Sequence, residues 1–483
     1  MSGPGPAPAP GTGAGTGAGA GRPYRRLSPL TPLVRGFLFV VAVLASTWDD
    51  LLGGRAGPVA WGLLGLVLVG AGYGAASWLR TKYWIEADEL LVDTGVVSRQ
   101  SRRIRVDRLQ GIDIVQPFVA RLFGLAELRM DVAGGGAREG SLAFLPLAEA
   151  RSLRAALLSR RDAVRATEPA PAPAPAVRPA VGPAVGPAVG PAVGPAVGPA
   201  VGPERVLAQL DLGMLLVSLL LSVETVLFVL ACVAVAVALG VLGSLGPVGG
   251  VAGVLPVLAG FGLAQFRKLS AFYGFTVSAV GSSSGPALQV RRGLFSLSTQ
   301  TIALARVQGV VVAEPLPWRG LGWARLDVAV AGYSTGQDES GGLSASTVMP
   351  VAPRSLVLSL ARTLLSGPDP DAVALTPPPV RARWVDPVAR RFLAGGVGAD
   401  LAVAREGIWT RRTHAVPHAR VQSVQVHQGP LQRWLRLADL RVDSPPGPVR
   451  ARLRHRDAAE VRALLDREHT LATEARHRLM AGE

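Results

Sequence analysis

The sequence predicts an α+β protein with membrane helices: three small β-sandwich or barrel modules, each closed by a C-terminal helix, and two transmembrane helical hairpins. Two pairs of long apolar segments predict the hairpins, and a residue pattern that recurs three times predicts the modules. Only 17% of the 483 residues are charged, against about 25% in a typical soluble domain. This composition, with a mean hydropathy of +0.33, favours a membrane protein over an ordinary cytosolic enzyme.

An N-terminal tail and the first hairpin occupy residues 1–32 and 33–79. The tail is rich in Gly, Ala, Pro and Thr, which cannot bury enough apolar surface to offset the entropy of ordering, so we expect it to be disordered. Two apolar runs follow, from Gly36 to Trp48 and from Pro58 to Leu79. A spanning helix needs about 20 residues, so the first run crosses a bilayer only with tilt or local thinning.

The second hairpin is predicted within residues 206–268, where apolar runs extend from Leu212 to Leu242 and from Pro247 to Phe266. Basic residues flank both hairpins at their open ends, whereas the first hairpin loop contains one Arg with two Asp and the second contains no charge. By the positive-inside rule, both loops face away from the cytoplasm. We therefore predict a multi-pass protein of the plasma membrane, with its soluble modules and both termini in the cytoplasm.

Glu224 is the one charged residue within the run from Leu212 to Leu242. An ionisable group at membrane depth marks a candidate functional site, and it supports an alternative function as a small transporter or channel component. The run is longer than a span requires, so a position of Glu224 near the membrane interface is the other interpretation.

The soluble modules are separated by segments of simple composition. Residues 166–205 form a linker in which the unit PAVG occurs six times between Pro179 and Gly202. Proline at every fourth position excludes a helix and favours extended polyproline II, so we interpret the segment as a spacer. A second linker is predicted at residues 368–382, and a C-terminal tail at 471–483.

An internal repeat defines the modules at residues 80–165, 269–367 and 383–470. A gapless alignment of the three copies places six identical residues at fixed spacing, including two Arg and one Gln. These triplets are Gly95, Gly293 and Gly407; Arg108, Arg306 and Arg420; Gln110, Gln308 and Gln422; Arg121, Arg319 and Arg433; Ala126, Ala324 and Ala438; and Leu128, Leu326 and Leu440.

Within each copy the pattern is that of short strands followed by one helix. Apolar residues alternate with polar ones around Ile104 and Ile112, as in half-buried strands, and further strands are predicted at Leu125–Val132 and Ser141–Leu145. The closing helices are amphipathic. They are predicted at Leu147–Arg161, Ser355–Leu365 and Asp457–Asp466.

This pattern resembles the bacterial membrane-flanked pleckstrin-homology (PH)-like domain family. In the first module the resemblance rests on four segments, Tyr83–Ile85, Gly95–Arg99, Ile104–Gln110 and Gly124–Leu128. It covers about residues 30–160 and 210–470, and tandem copies with paired transmembrane helices are similar to the multi-copy members. The resemblance implies PH-like modules in the cytoplasm beside the membrane, without established catalytic residues. The third module departs from it, because Arg436 replaces the glycine of the other copies.

No constellation of residues predicts an enzyme, a metal site or a bound cofactor. His414 and His418 lie on one predicted strand, about 13 Å apart, which is too far to share a metal ion. Cys232 lies in an apolar run and is interpreted as a small buried hydrophobe. The sequence contains no GxxxxGK[ST] phosphate-binding loop.

The recurring polar residues and glycines have two interpretations. A set interpreted as structural would bridge backbone groups or, in the case of glycine, adopt a turn with positive φ. This set comprises Gly95, Arg108, Gln110, Gly293, Arg306, Gln308, Gly407, Arg420 and Gln422. The candidate headgroup or partner contacts are Arg121, Arg319 and Arg433, because a guanidinium group matches phosphate oxygens bidentately.

The net charge of +16 indicates the class of partner. Basic residues near an anionic leaflet gain about 1 kcal/mol each. Nucleic acid would also attract them, but no basic recognition helix or aromatic stacking set occurs. We therefore expect anionic membrane lipids as partners, a second PH-like-domain membrane protein as a further candidate, and no nucleic acid. The predicted function is a non-enzymatic membrane scaffold with a role in envelope maintenance.

Overall fold

A computed structural model of the chain describes most of the predicted soluble modules. The described residues are 25–26, 79–86, 89–94, 100–132, 141–167, 205–242, 247–282, 285–331 and 346–481 except 446, with single helical positions between 62 and 76. The predicted N-terminal tail, most of the first hairpin and nearly all of the linker at 166–205 lie outside these residues. The chain divides into two compact units, Met1–Arg103 and Ile104–Glu483.

The first unit contains a four-stranded sheet in the order β1-β2-β3-β4. Its strands are β1 (Arg25–Arg26), β2 (Lys82–Glu86), β3 (Glu89–Thr94) and β4 (Gln100–Arg105), the last of which ends beyond the unit boundary. β2 and β3 form a hairpin in which Tyr83 lies opposite Val92, and both side chains are buried.

The second unit begins with the second half of the first module. A 3-10 turn (Val106–Arg108) leads into β5 (Leu109–Gln116), α1 (Phe118–Leu122), β6 (Leu125–Val132), β7 (Ser141–Pro146) and α2 (Leu147–Thr167). β6 has the predicted bounds, and α2 extends past the predicted end at Arg161. The closing helix buries Leu153 and Leu157, which lie on one face because they are four residues apart.

The segment predicted as the second hairpin begins with soluble structure. β8 (Arg205–Gln209) pairs with β9 (Thr276–Ser282), and α3 (Leu212–Leu220) packs Leu215 into the core of the second module. Asp211 caps α3 by accepting a hydrogen bond from the Met214 N–H at 3.1 Å. The start of the predicted hairpin at residue 206 thus differs from the structure, because the local cap and the strand pairing hold this stretch against the module.

Two longer helices follow, α4 (Val223–Leu242) and α5 (Pro247–Phe272). Within the described residues, no single helix is both long and apolar enough to cross a bilayer. The pair Leu212–Leu220 and Val223–Val235 reaches that length and hydropathy jointly, with a bend of 45° between them. The two transmembrane hairpins therefore remain predictions.

The second and third modules repeat the strand order of the first. The second continues with β10 (Gly285–Arg292), β11 (Leu297–Ala303), β12 (Val307–Pro315), α6 (Leu316–Arg319), β13 (Trp323–Val330), β14 (Thr347–Pro353) and α7 (Arg354–Leu364). The third contains β15 (Ala394–Val397), β16 (Leu401–Glu406), β17 (Thr410–Pro417), β18 (Ser423–His427), α8 (Pro430–Trp434), β19 (Leu437–Asp443), β20 (Ala451–Asp457) and α9 (Ala458–Ala481). The prediction of β modules closed by helices is confirmed.

The sheets cross the module boundaries. A seven-stranded sheet runs in the order β7-β6-β5-β11-β10-β9-β8, and a six-stranded sheet in the order β14-β13-β12-β17-β16-β15. Each therefore joins the second half of one module to the first half of the next. We call the contact of β5 with β11 the first junction and that of β12 with β17 the second junction. Ile114 lies opposite Thr299 in the first, and Val312 opposite Thr413 in the second.

The cores are shared in the same way. Leu401 and Val403, on one face of the six-stranded sheet, pack into the core of the second module. Ala402 and Ala404, on the other face, pack into the core of the third, together with Val311 from the second module. Alternate residues of one strand point to opposite faces, so this sheet forms a wall between two cores.

Candidate functional site

Each module carries a short helix between the first and second strands of its second half, and we call α1, α6 and α8 the loop helices. Proline stands just before α1 and α6 and at the first position of α8. It suits these positions because its φ is preset for a helix and its missing N–H would have no helical partner. The loop helices carry the three predicted contact residues, Arg121, Arg319 and Arg433.

A residue in the left-handed conformation follows each loop helix. Gly124 and Gly322 both have φ +66°, and Arg436 has φ +53°. The carbonyl of this residue accepts a hydrogen bond from the first N–H of the closing helix at 3.0, 2.8 and 3.0 Å, respectively. Arg436, which departs from the family pattern in sequence, therefore keeps the backbone conformation of the glycines, although a side chain is disfavoured there.

Arg319 is bound within the protein. Its Nε donates to the Glu314 carbonyl at 3.1 Å, and its Nη2 donates to the Ile408 carbonyl at 3.0 Å. Burial, with the nearby charge of Arg411, lowers the pKa of Arg319. Because Ile408 belongs to the third module, this guanidinium bridges two modules.

The equivalent residues of the other modules face solvent. Arg121 and Arg433 are both exposed, and each has exposed apolar neighbours on its loop helix. Leu122 is 74% exposed beside Arg121, and Trp434 is 79% exposed beside Arg433. The structure thus separates the three predicted contact residues into one internal bridge and two exposed cations with apolar neighbours.

Three aromatic rings connect α1 to the end of α5. Phe118 at the start of α1 lies 5.6 Å from Phe295, and Phe266 of α5 lies 5.8 Å from Phe295, measured between ring centroids. All three side chains are exposed. The aromatic cluster therefore consists of Phe118, Phe266 and Phe295 at the base of α5, next to Arg267.

The loop helix of the third module is supported by buried polar contacts. Gln432 accepts a hydrogen bond from the Gly429 N–H at 2.8 Å and donates to Asp439 at 2.8 Å. It also lies 2.9 Å from Nδ1 of His455, whose pKa is lowered by burial. These contacts fix α8 and hence the exposed position of Trp434.

The residues predicted to be structural lie around the turns. Gly293 and Gly407 have φ values of +113° and +100°, and a Cβ at either position would lie within about 2 Å of a backbone oxygen. Gly95 lies outside the described residues, and Gln110 lies on β5 without a described side chain. Gln308 donates to the Arg306 carbonyl at 3.1 Å.

The remaining residues that were predicted to be structural have different contacts in different modules. Arg420 donates to the Ala305 carbonyl at 2.6 Å and so links the third module to the second. Arg108 is exposed, as is Gln422, whose backbone N–H donates to the Asp443 carbonyl at 2.9 Å. The same repeat position thus contacts a neighbouring module in one copy and solvent in another.

Sequence reasoning missed Glu314, which is buried at the second junction. Its Oε1 accepts from Nε of Arg354 at 2.7 Å, and its Oε2 accepts from Nη1 of Arg411 at 3.2 Å. Arg354 also donates to Asp371 at 2.8 Å. The available signal was a carboxylate directly after the apolar run Val310–Ala313 in one strand, since a buried charge needs a partner.

Helices α4, α5 and α9 also carry paired ionisable residues. Glu224 of α4 pairs with Lys268 near the end of α5. The buried His418 lies 2.7 Å from the buried Glu468 of α9. Among the described residues, no group of three or more His, Cys, Asp or Glu side chains is arranged to hold a metal ion.

Comparisons with known proteins agree with this architecture. The family model described as a bacterial PH domain matches residues 36–161, 214–367 and 388–469. One similar protein is the "UPF0699 transmembrane protein YdbT" of Bacillus subtilis, which is 31% identical over 113 residues. This alignment covers 23% of the present chain and 22% of the relative, so the chain matches less than a quarter of that relative's length.

Proposed function

Because the chain belongs to the bacterial PH domain family, we propose that it is a non-enzymatic integral membrane protein whose PH-like modules contact anionic lipid headgroups. In this proposal the modules also serve as a scaffold in maintenance of the cell envelope. The hairpin at residues 33–79 and a second hairpin formed by α4 and α5 anchor the chain in the plasma membrane, and the modules and both termini lie in the cytoplasm. The name of the Bacillus subtilis relative, a transmembrane protein, supports the anchoring.

The aromatic cluster carries the proposal. Exposed Phe, Trp and Leu side chains beside basic residues are typical of protein segments that bury an apolar face at the boundary between headgroups and acyl chains. Phe266 is the last residue of the apolar run in α5 and is followed by the basic residues Arg267 and Lys268. The membrane–water interface is therefore expected at the height of Phe266. Phe118 joins the cluster through Phe295, which brings α1 and its exposed Arg121 to the same level.

The third module offers a second contact of the same chemistry. Trp434 is exposed beside Arg433 on a loop helix held by buried hydrogen bonds. An aromatic ring with a guanidinium group suits the headgroup layer, where the ring enters the interface and the cation meets phosphate. Arg319 is not part of this contact, because carbonyl groups of the protein occupy its donors.

The transporter alternative has less support. It depends on Glu224 as an isolated carboxylate inside the membrane, whereas Glu224 pairs with Lys268, which lies beyond the apolar run ending at Phe266. An ion pair at this level fits an interfacial position for both residues.

Photocrosslinking of the full chain tests the headgroup contact. A photoreactive phenylalanine analogue is placed at Leu122, at Trp434 or at the control Trp384, all of which are exposed, and the protein is reconstituted in nanodiscs that contain phosphatidylglycerol. We expect lipid adducts from positions 122 and 434 and few from 384. We also expect Arg121→Gln to reduce the adducts at 122. Equal lipid labelling at all three positions would overturn the proposal.

A further inference from the structure

We propose that a cleft at the first junction binds a phosphate group, carried by a lipid headgroup or free in solution. The cleft has a volume of about 280 Å³ and lies between α2 and the strands β5, β11 and β10. Its polar lining is Arg151 and Arg154 from α2, Gln289 and Arg291 from β10, Thr299 from β11 and Gln116 from β5. Among the described residues that line it, there is no carboxylate.

The second junction, which has the same strand arrangement, contains a buried anion. In the first junction Ile114, Thr299 and Arg291 lie side by side across three strands, and in the second junction Val312, Thr413 and Arg405 do the same. The two junctions therefore place an arginine at the same position of the sheet. At the second junction, Glu314 lies opposite Arg411 and binds both Arg411 and Arg354. An anion thus belongs to the arginine cluster of the second junction.

At the first junction the positions of this ion-pair network are uncharged, because Leu297 and Leu147 stand where Arg411 and Arg354 bind Glu314. Arg291 remains at the position of Arg405. Gln116 occupies the strand position of Glu314, because Gln116 pairs with Leu297 where Glu314 pairs with Arg411. The Gln116 amide donates to the Leu125 carbonyl at 3.2 Å and brings no charge. Arg151 and Arg291 share a cleft whose described lining contains no carboxylate. Their like charges repel each other, and a bound anion would offset this repulsion.

The closing helices place different residues at the two junctions. Counted from the proline before each closing helix, Arg151 and Arg154 of α2 correspond to Leu358 and Ala361 of α7. Leu358 and Ala361 pack into the core with Val403, and Val403 corresponds to the cleft residue Gln289. The second junction is therefore filled by apolar side chains where the first is lined by arginine and amide groups.

The chemistry of the lining selects phosphate. Guanidinium groups offer paired N–H donors that match phosphate oxygens, and hydroxyl and amide groups complete the contacts. Arg154 is held in place because its Nη2 donates to the Thr301 hydroxyl at 2.7 Å. Pockets for larger ligands enclose about 300–1,000 Å³, so a cleft of about 280 Å³ suits a small anionic group.

A larger depression in the third module also contains arginines, but two of them are paired with carboxylates. It has a volume of about 580 Å³ and lies beside the turn between β19 and β20. Two of its arginines are neutralised within the protein, since Arg441 binds Asp443 at 2.6 Å and Arg452 binds Asp439 at 2.7 Å. Both the first-junction cleft and this depression are lined by arginine. They differ because the described lining of the cleft contains no carboxylate.

Titration of the full chain with inorganic phosphate at constant ionic strength tests the proposal. In phosphatidylcholine nanodiscs, we expect phosphate to raise the unfolding temperature of the wild type, because a ligand that binds only the folded state stabilises it. We expect Arg291→Gln to weaken the phosphate response at least about tenfold, as for the loss of a hydrogen bond to a charged group. Gln116→Glu should abolish it by supplying the carboxylate found at the second junction.

Arg205→Gln is the matched control, since Arg205 is exposed in β8 at the far edge of the same sheet, and it should keep the wild-type response. An absent response to phosphate, or equal responses from Arg291→Gln and Arg205→Gln, would overturn the proposal. If Gln116→Glu fails to fold, Arg291→Gln still decides the test.

Lipid composition identifies the source of the phosphate. If phosphatidylglycerol in the nanodisc removes the response to free phosphate, a lipid headgroup occupies the cleft. A response that persists in phosphatidylglycerol assigns the cleft to a soluble phosphate. Both outcomes support a phosphate site. The cleft lining includes no residue of α1 or α8, so the phosphate titration and the crosslinking of the loop helices report on different side chains.

Discussion

The two junctions have the same backbone arrangement and different chemistry. In each, the first strand of one module's second half pairs with the last strand of the next module's first half, in the same register. The second junction is closed by Leu358 and Ala361 and by the buried carboxylate of Glu314. The first is lined by Arg151, Arg154 and Gln116 and contains an open cleft.

The comparison shows that backbone pairing and side-chain chemistry are separable in this repeat. The register depends on strands whose apolar residues must face the core, because a shift by one residue would expose them. The residues beside the closing helix are not constrained in this way. These residues form a buried ion-pair network at the second junction and a polar cleft at the first.

The largest expected effect comes from removing the buried carboxylate of the second junction. Breaking a buried ion pair costs about 3–5 kcal/mol. The guanidinium partners of Glu314 are partly exposed, so we expect Glu314→Gln to cost about 2–3 kcal/mol after solvent screening. Hydrogen exchange of β12 and β17 measures this loss locally. Asp107→Asn, which removes a carboxylate from an exposed pair with Arg105, is the control. An equal loss of protection in both variants would show that the second junction does not depend on Glu314.

A smaller effect distinguishes two arginines at the same repeat position. Arg319→Gln removes hydrogen bonds to two carbonyls at the second junction, and we expect a loss of about 1–2 kcal/mol. Arg121→Gln should change stability by less than about 0.5 kcal/mol, because Arg121 is exposed. Thermal unfolding of both variants in detergent checks the difference. If Arg121→Gln is as damaging as Arg319→Gln, the assignment of Arg121 to the solvent side is wrong.

The smallest expected effect is a dependence on pH at the second junction. His414, whose Nε2 lies 3.5 Å from Glu406, lowers the pKa of Glu406 as a hydrogen-bond donor. A pKa that is lower in the folded state contributes stability above the unfolded value, about 4.3, and the contribution is lost as the pH falls through the folded pKa.

We expect this contribution to be about 1 kcal/mol or less, because the Glu406 side chain is 30% exposed. The difference in unfolding free energy between wild type and Glu406→Gln should therefore shrink as the pH is lowered from 5 to 3. Glu127→Gln, at a carboxylate next to Arg129 in the first junction's sheet, serves as the comparison. A pH-independent difference for Glu406→Gln would exclude this linkage.

Local sequence patterns predicted the elements and not their pairing. The bounds of β6 and the starts of the closing helices followed from alternation and amphipathicity, which are local properties. The exchange of half-sheets between modules did not, because any strand of suitable pattern can pair with any other. The break in the apolar run that begins at Leu212 was also missed, since this run forms the two helices α3 and α4. Ser222, whose hydroxyl accepts a hydrogen bond from the Thr225 N–H at 3.3 Å, marks the start of α4 in the sequence.

The candidate site was predictable only in its residue types. The repeat identified Arg121, Arg319 and Arg433 as equivalent, and the alignment holds in the structure. Their different environments depend on what the next module supplies, namely a carbonyl for Arg319 and an aromatic ring beside α1. The first-junction cleft brings together residues far apart in the chain, such as Arg154 and Thr301, which no local pattern links.

The seven-stranded sheet has a consequence for the length of the chain between modules. Its outer strands are β7 and β8, so the proline-rich segment at residues 168–204 connects elements at opposite edges of one sheet. The closure entropy of a loop grows only with the logarithm of its length, and one added four-residue unit costs about 0.1 kcal/mol. Gain or loss of PAVG units by replication slippage should therefore leave the sheet intact, provided that the remaining chain still reaches from one edge to the other.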